Sequence, residues 1–179
     1  MLNFKIEILI LFSFILCTLA VQNFSFFTIK MTFKQKIYHQ YHQLVQDRID
    51  VFRDMIVALT EDSKNDAKGS AGDKHETALS MMHIEQEKLN AKLKEVLEQK
   101  AVLDKLDPSV VAGTIILGSL VKANGIYLYL SLALPKISID GINIIALSPQ
   151  SPLGNKLMGN KVGFAFEING TKYLIESIE

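Results

Sequence analysis

Two carboxylates three residues apart, Asp73 and Glu76, are the pair in this 179-residue chain best suited to do chemistry. At the start of a helix, an i, i+3 pair lies on one side of the first turn. Both side chains could then offer oxygens to a hard divalent cation. Two carboxylates are too few to hold magnesium alone, because magnesium keeps several waters and borrows other oxygens. Such a pair would complete a metal site that belongs mainly to another macromolecule. The same residues also spell a capping box, with Asp73 as N-cap and Glu76 reaching back to its amide. The spacing by itself serves either role.

Other chemistries are excluded or unsupported. The single cysteine, Cys17, rules out an internal disulfide and a cysteine-based zinc site. His39, His42, His75 and His83 fall in no metal-ligand motif. No glycine-rich phosphate loop or nucleophile elbow is present. Lys plus Arg equals Asp plus Glu at 19 each, so no broad basic stripe exists to grip phosphates, and strong independent nucleic-acid binding is not expected.

The acidic pair needs a support, and residues 32–107 supply one. Ile37, Tyr41, Leu44, Val45, Ile49, Phe52, Met55, Ile56 and Leu59 recur three or four apart, a helical stripe. A polar stretch, residues 60–72, breaks it. A second stripe runs through Leu79, Met82, Leu89, Leu93, Val96, Leu97, Leu103 and Leu106, and stops at Asp107-Pro108. Two amphipathic helices joined by one loop predict an antiparallel coiled-coil hairpin with Asp73 and Glu76 at its tip. Each arm would be roughly 40–50 Å long.

After Pro108 the period changes. Residues 110–120, 126–134 and 142–147 read as strands, punctuated by Gly113, Gly118, Asn124-Gly125 and Pro135. Ser151 caps a short helix with Pro152 at its first position and Gly159 at its end. Residues 162–168 and 171–178 flank Asn169-Gly170, a two-residue hairpin signal. The expected fold class is α+β: a helical hairpin over residues 32–107, then a small, mostly antiparallel sheet domain over residues 108–179.

Residues 1–30 hold six of the ten phenylalanines, and residues 8–29 carry no charge. A signal peptide (Lys5, an apolar run, then Thr18-Leu19-Ala20), a membrane anchor and a start site set too early all fit that stretch.

The hairpin with its Asp-x-x-Glu tip, followed by Ser148-Pro149-Gln150-Ser151-Pro152-Leu153-Gly154 and then Leu157, Gly159, Lys161, Val162 and Gly163, resembles the Gre family (GreA/GreB-like) of bacterial transcription elongation factors. The resemblance covers roughly residues 33–179. It implies an FKBP-like carboxy-terminal domain that docks on the rim of the RNA polymerase secondary channel, with Ser151, Pro152, Leu153 and Gly154 as docking residues. It also implies a hairpin that enters the channel, where Asp73 and Glu76 help to hold a second Mg2+ shared with the polymerase and stimulate cleavage of backtracked RNA. On this view the protein is a cofactor of RNA polymerase rather than a free-standing enzyme. The family's tip carries Leu-Ser-Glu-Asn after its aspartate, whereas this chain has Lys74-His75-Glu76-Thr77.

A polymerase partner implies the cytoplasm, which favours Met31 as the working initiator over a cleaved leader. Two alternatives share much of this architecture. One is a channel regulator that binds polymerase without promoting cleavage. The other is an extracytoplasmic FKBP-like isomerase or chaperone, whose apolar pocket would draw on Tyr127, Tyr129, Phe164, Phe166 and Tyr173.

Overall fold

The computed structural model describes residues 31–66 and 73–179, with side chains described for 31–64 and 77–179. The expectations for residues 1–30 lie outside the described residues. Phe33–Glu179 form one compact unit.

Helix α1 spans Phe33–Asp66 and helix α2 spans Asp73–Leu103. They run antiparallel. Cross-helix contacts fix the register: His42 Nε2 lies 3.2 Å from Asp104 Oδ1 at the base, and Arg48 Nη1 donates to Gln99 Oε1 at 3.5 Å. Further out, Gln86 Nε2 donates to Thr60 Oγ1 at 2.9 Å. Helix α1 continues past Leu59, where the polar stretch was expected to break it. Thr60 and Ser63 turn their hydroxyls back onto the carbonyls of Ile56 and Thr60. Side chains bonded in this way sit inside a helix without ending it.

The remainder is a six-stranded sheet ordered β3-β4-β2-β1-β6-β5, from strands β1 (Leu120–Ala123), β2 (Ile126–Leu130), β3 (Ile137–Ile139), β4 (Ile142–Leu147), β5 (Ala165–Ile168) and β6 (Thr171–Ile178). Three two-residue turns close its hairpins at Asn124-Gly125, Asp140-Gly141 and Asn169-Gly170. Both residues of each turn have positive φ, as the twist-matched type I′ hairpin turn requires.

The sheet is mostly antiparallel, as expected, but mixed: one of its five pairings is parallel. β2 and β4 pair in parallel, Tyr127 facing Ile144 and Leu130 facing Leu147. The chain leaves β2, crosses beyond the β4 position and returns as β3, and the β3–β4 hairpin then sets β4 beside β2. Parallel neighbours need such a crossover. The expected strand over residues 110–120 is corrected. Only Leu120 belongs to β1, and residues 110–119 are irregular, with a bend at 113–114 and a turn at 117–118. Ile115 of that segment is fully buried, and its amide and carbonyl bond Asn160 and Gly159.

Side-chain alternation gives the sheet two cores. One face packs Leu120, Tyr129, Ile144 and Ala146 against Ile37, Tyr41, Val45, Ile49, Val96, Leu103 and Leu106 of the hairpin base. The other packs Val121, Leu128, Leu130 and Ile175 against Leu157 and the short helix α3 (Pro152–Leu157). Hairpin base and sheet thus share a single core across the residue 107–108 boundary.

Candidate functional site

Asp73 is the first residue of α2 and Glu76 lies one turn into it. Their side chains, with those of Lys74 and His75, lie outside the described residues. The helix backbone alone sets both carboxylate-bearing positions at the end of the hairpin furthest from the sheet. On α1, full burial stops at Ile49, while the helix runs roughly 25 Å further to Asp66. Beyond Ile49 the seam side chains Phe52, Ile56 and Leu59 are only half-buried. The hairpin is thus anchored at one end and projects at the other.

The anchor is built with more care than a coiled coil alone would need. Tyr41 is fully buried, and its hydroxyl donates to the carbonyl oxygen of Ile144 at 3.4 Å. Lys34, 4 % exposed, donates from Nζ to the carbonyl oxygen of Val110 at 2.6 Å. Burial holds the Lys34 ammonium below its ordinary pKa, partly offset by Glu179 and Asp107. Lys36 Nζ pairs with Asp140 Oδ2 at 2.7 Å, joining α1 to the β3–β4 turn. These contacts fix the direction in which the hairpin points.

The Ser151–Gly154 block forms the cap that its residues predict. Ser151 Oγ accepts from Gly154 N at 3.0 Å and donates to the carbonyl oxygen of Ser148 at 2.8 Å. Gly154 is there because space is absent: a Cβ would sit 2.1 Å from the Ser148 oxygen. Leu153 is half-buried against the second core and Gly154 is buried, so of the four named docking residues only Pro152 is exposed. Asn155 and Lys156, which follow it, are exposed as well. Any partner at this block would meet Pro152, Asn155 and Lys156.

The five aromatics considered for an apolar pocket do not converge. Tyr129 stacks on Tyr41, and Tyr127 meets Phe33 edge to face with centroids 5.6 Å apart, both on the hairpin side of the sheet. Phe166 and Tyr173 stack at 5.4 Å, with Phe164 beside Phe166 at 6.1 Å, and pack against the opposite core. Among the described residues, no group of three or more His, Cys, Asp or Glu side chains comes together to hold a metal ion. No helix among them is long and apolar enough to cross a membrane.

Sequence reasoning missed the Tyr41–Tyr129 joint, because stacking between distant elements leaves no local spacing signal. It also missed the β3–β4 hairpin, although Asp140-Gly141 between Ile-Ser-Ile and Ile-Asn-Ile was a readable signal. No family model matches the chain, and comparison with curated proteins finds no match.

Proposed function

We propose that the protein is a transcription elongation factor that binds RNA polymerase at its secondary channel and presents Asp73 and Glu76 to the active centre. The observation that carries this reading is a rigidly rooted hairpin, its acidic pair opening α2 at the free end. In this account the sheet domain is FKBP-like and rests on the channel rim. The hairpin supplies the reach, about 45 Å along α2 from Leu103 to Asp73.

The donor set fits a shared magnesium ion: two helix positions one turn apart can offer two oxygens, and the polymerase and water supply the rest. Once held, that ion would activate a water for attack on the RNA phosphodiester. The task of Asp73 and Glu76 is to bind and orient, and their charge adds preorganised stabilisation at a site owned by the polymerase. The protein is then a cofactor of that enzyme. It acts in the cytoplasm.

Site-specific photo-crosslinking tests the geometry. A crosslinker at Met81, 66 % exposed and two turns from Asp73, should trap the wall of the secondary channel. One at Lys156 should trap the rim. Crosslinks from both positions to the outer surface alone would reject channel entry.

A further inference from the structure

The outer half of α1 carries a second stripe that neither α2 nor the sheet covers. Val51, Met55 and Ala58 follow one another at spacings of four and three and are all exposed, Val51 at 50 % and Met55 at 48 %. At about 100° per residue this stripe lies a quarter-turn or so from the buried seam of Ile49, Phe52, Ile56 and Leu59. Beside it runs a row of acids seven residues apart, Asp47, Asp54 and Glu61, all exposed. Asp54 and Glu61 form no ion pair or hydrogen bond among the described residues. A shallow groove lined by Asp47, Arg48, Val51 and Phe52 opens at the head of the stripe.

An apolar 3-4 stripe with acids at heptad spacing along one flank, and Arg48 on the other at its head, is the pattern by which a helix selects a helical partner. Apolar contact supplies adhesion, and the flanking row sets which charge the partner must carry. A second copy of this chain is a poor match. Laid antiparallel with Asp54 opposite its own counterpart, it would also set Asp47 against Glu61, a row of like charges.

We propose that this face of α1 is a docking site for an amphipathic helix of about two heptads with a basic flank. The apolar residues of that helix would lie along Val51, Met55 and Ala58, one filling the groove by Phe52. Its lysines or arginines would face Asp47, Asp54 and Glu61. The site is separate from the tip and stands whether or not the tip acts in a polymerase.

The test is fluorescence anisotropy of a labelled 21-residue peptide with Leu at a and d positions and Lys at e and g, titrated with the intact protein. A matched peptide with Glu at e and g is the control. The Lys peptide should bind saturably and weaken as salt rises. The double reversal Asp54→Lys with Glu61→Lys, and separately Met55→Glu, should each weaken binding tenfold or more. The milder Asp54→Asn with Glu61→Gln should fall between, and circular dichroism should be unchanged throughout. Equal binding of both peptides, or binding indifferent to these variants, would overturn the proposal. So would a concentration-dependent dimer of the protein that Met55→Glu abolishes, since the occupant would then be a second copy.

Discussion

Tyr41 of α1 lies flat on Tyr129 of β2, ring centroids 5.9 Å apart and planes 6° from parallel. Both rings are fully buried. This stack is the centre of the joint between hairpin and sheet, and it is asymmetric. The Tyr41 hydroxyl has the Ile144 carbonyl as acceptor, whereas the Tyr129 hydroxyl is buried with no hydrogen-bond partner among the described residues.

The asymmetry predicts opposite outcomes for the same substitution. Tyr129→Phe removes a polar group that is desolvated and unpaired, so it should leave stability unchanged or raise it by up to about 2 kcal/mol. Tyr41→Phe removes a made hydrogen bond and should cost about 0.5–1.5 kcal/mol. Urea unfolding of the two variants beside the unaltered protein measures both.

The same two hydroxyls should make the fold sensitive to alkali. Burial pushes Tyr41 from 10.0 up to about 12. Burial also raises Tyr129, helped by Tyr38 and Tyr41. A raised folded-state value means that folding favours the neutral hydroxyl. The stabilisation is therefore complete below pH 10 and is lost as pH rises from 10 towards 12. Urea midpoints should fall over that window in the unaltered protein. They should fall less in the double variant Tyr41→Phe, Tyr129→Phe.

Stability should fade along the hairpin towards its tip. Leu103 and Ile49 are buried in the shared core, so Leu103→Ala or Ile49→Ala should cost about 2–5 kcal/mol. Met81 and Met55 are exposed, so Met81→Ala or Met55→Ala should stay within about 0.5 kcal/mol. Amide exchange should report the same gradient, slow from Ile37 to Ile49 and faster from Ile56 outward.

Gly154→Ala should be severe for a residue with no side chain. The added Cβ would meet the Ser148 carbonyl at 2.1 Å, and backbone on both sides must move. A loss of about 2 kcal/mol or more in thermal or urea unfolding is expected. Gly113→Ala, where the new Cβ meets nothing within 4 Å, is the control.

How much of this was readable from residue spacing depends on how local each feature is. The 3-4 stripes gave both helices, and Asn169-Gly170 and Ser151-Pro152 gave a turn and a cap, because each is decided within a few residues. Helix α1 was read as ending near Leu59 because Thr60 and Ser63 look like breakers. Their hydroxyls instead satisfy carbonyls within the helix. Residues 110–119 are apolar because Ile115 fills the second core, not because they pair in the sheet. The parallel register of Tyr127 with Ile144 depends on a crossover, which no window of a few residues contains. For the acidic pair, spacing gave the positions of Asp73 and Glu76, while the projection of α1 beyond the shared core shows only in burial along that helix, which is full no further than Ile49.

The central claim is that Asp73 and Glu76 act by sharing magnesium at the polymerase active centre rather than by capping α2, and cleavage of backtracked RNA tests it most directly. Asp73→Asn keeps a good N-cap and Glu76→Gln keeps a capping-box partner, while each removes a charge. The measurement is the rate of transcript cleavage when the intact protein or either variant is added to a stalled, backtracked elongation complex. The account predicts stimulation by the unaltered protein and polymerase binding by all three. It predicts a loss of tenfold or more in each variant, about 1.4 kcal/mol of barrier, partly restored by added magnesium. Full stimulation by both variants, or none by the unaltered protein, would contradict it.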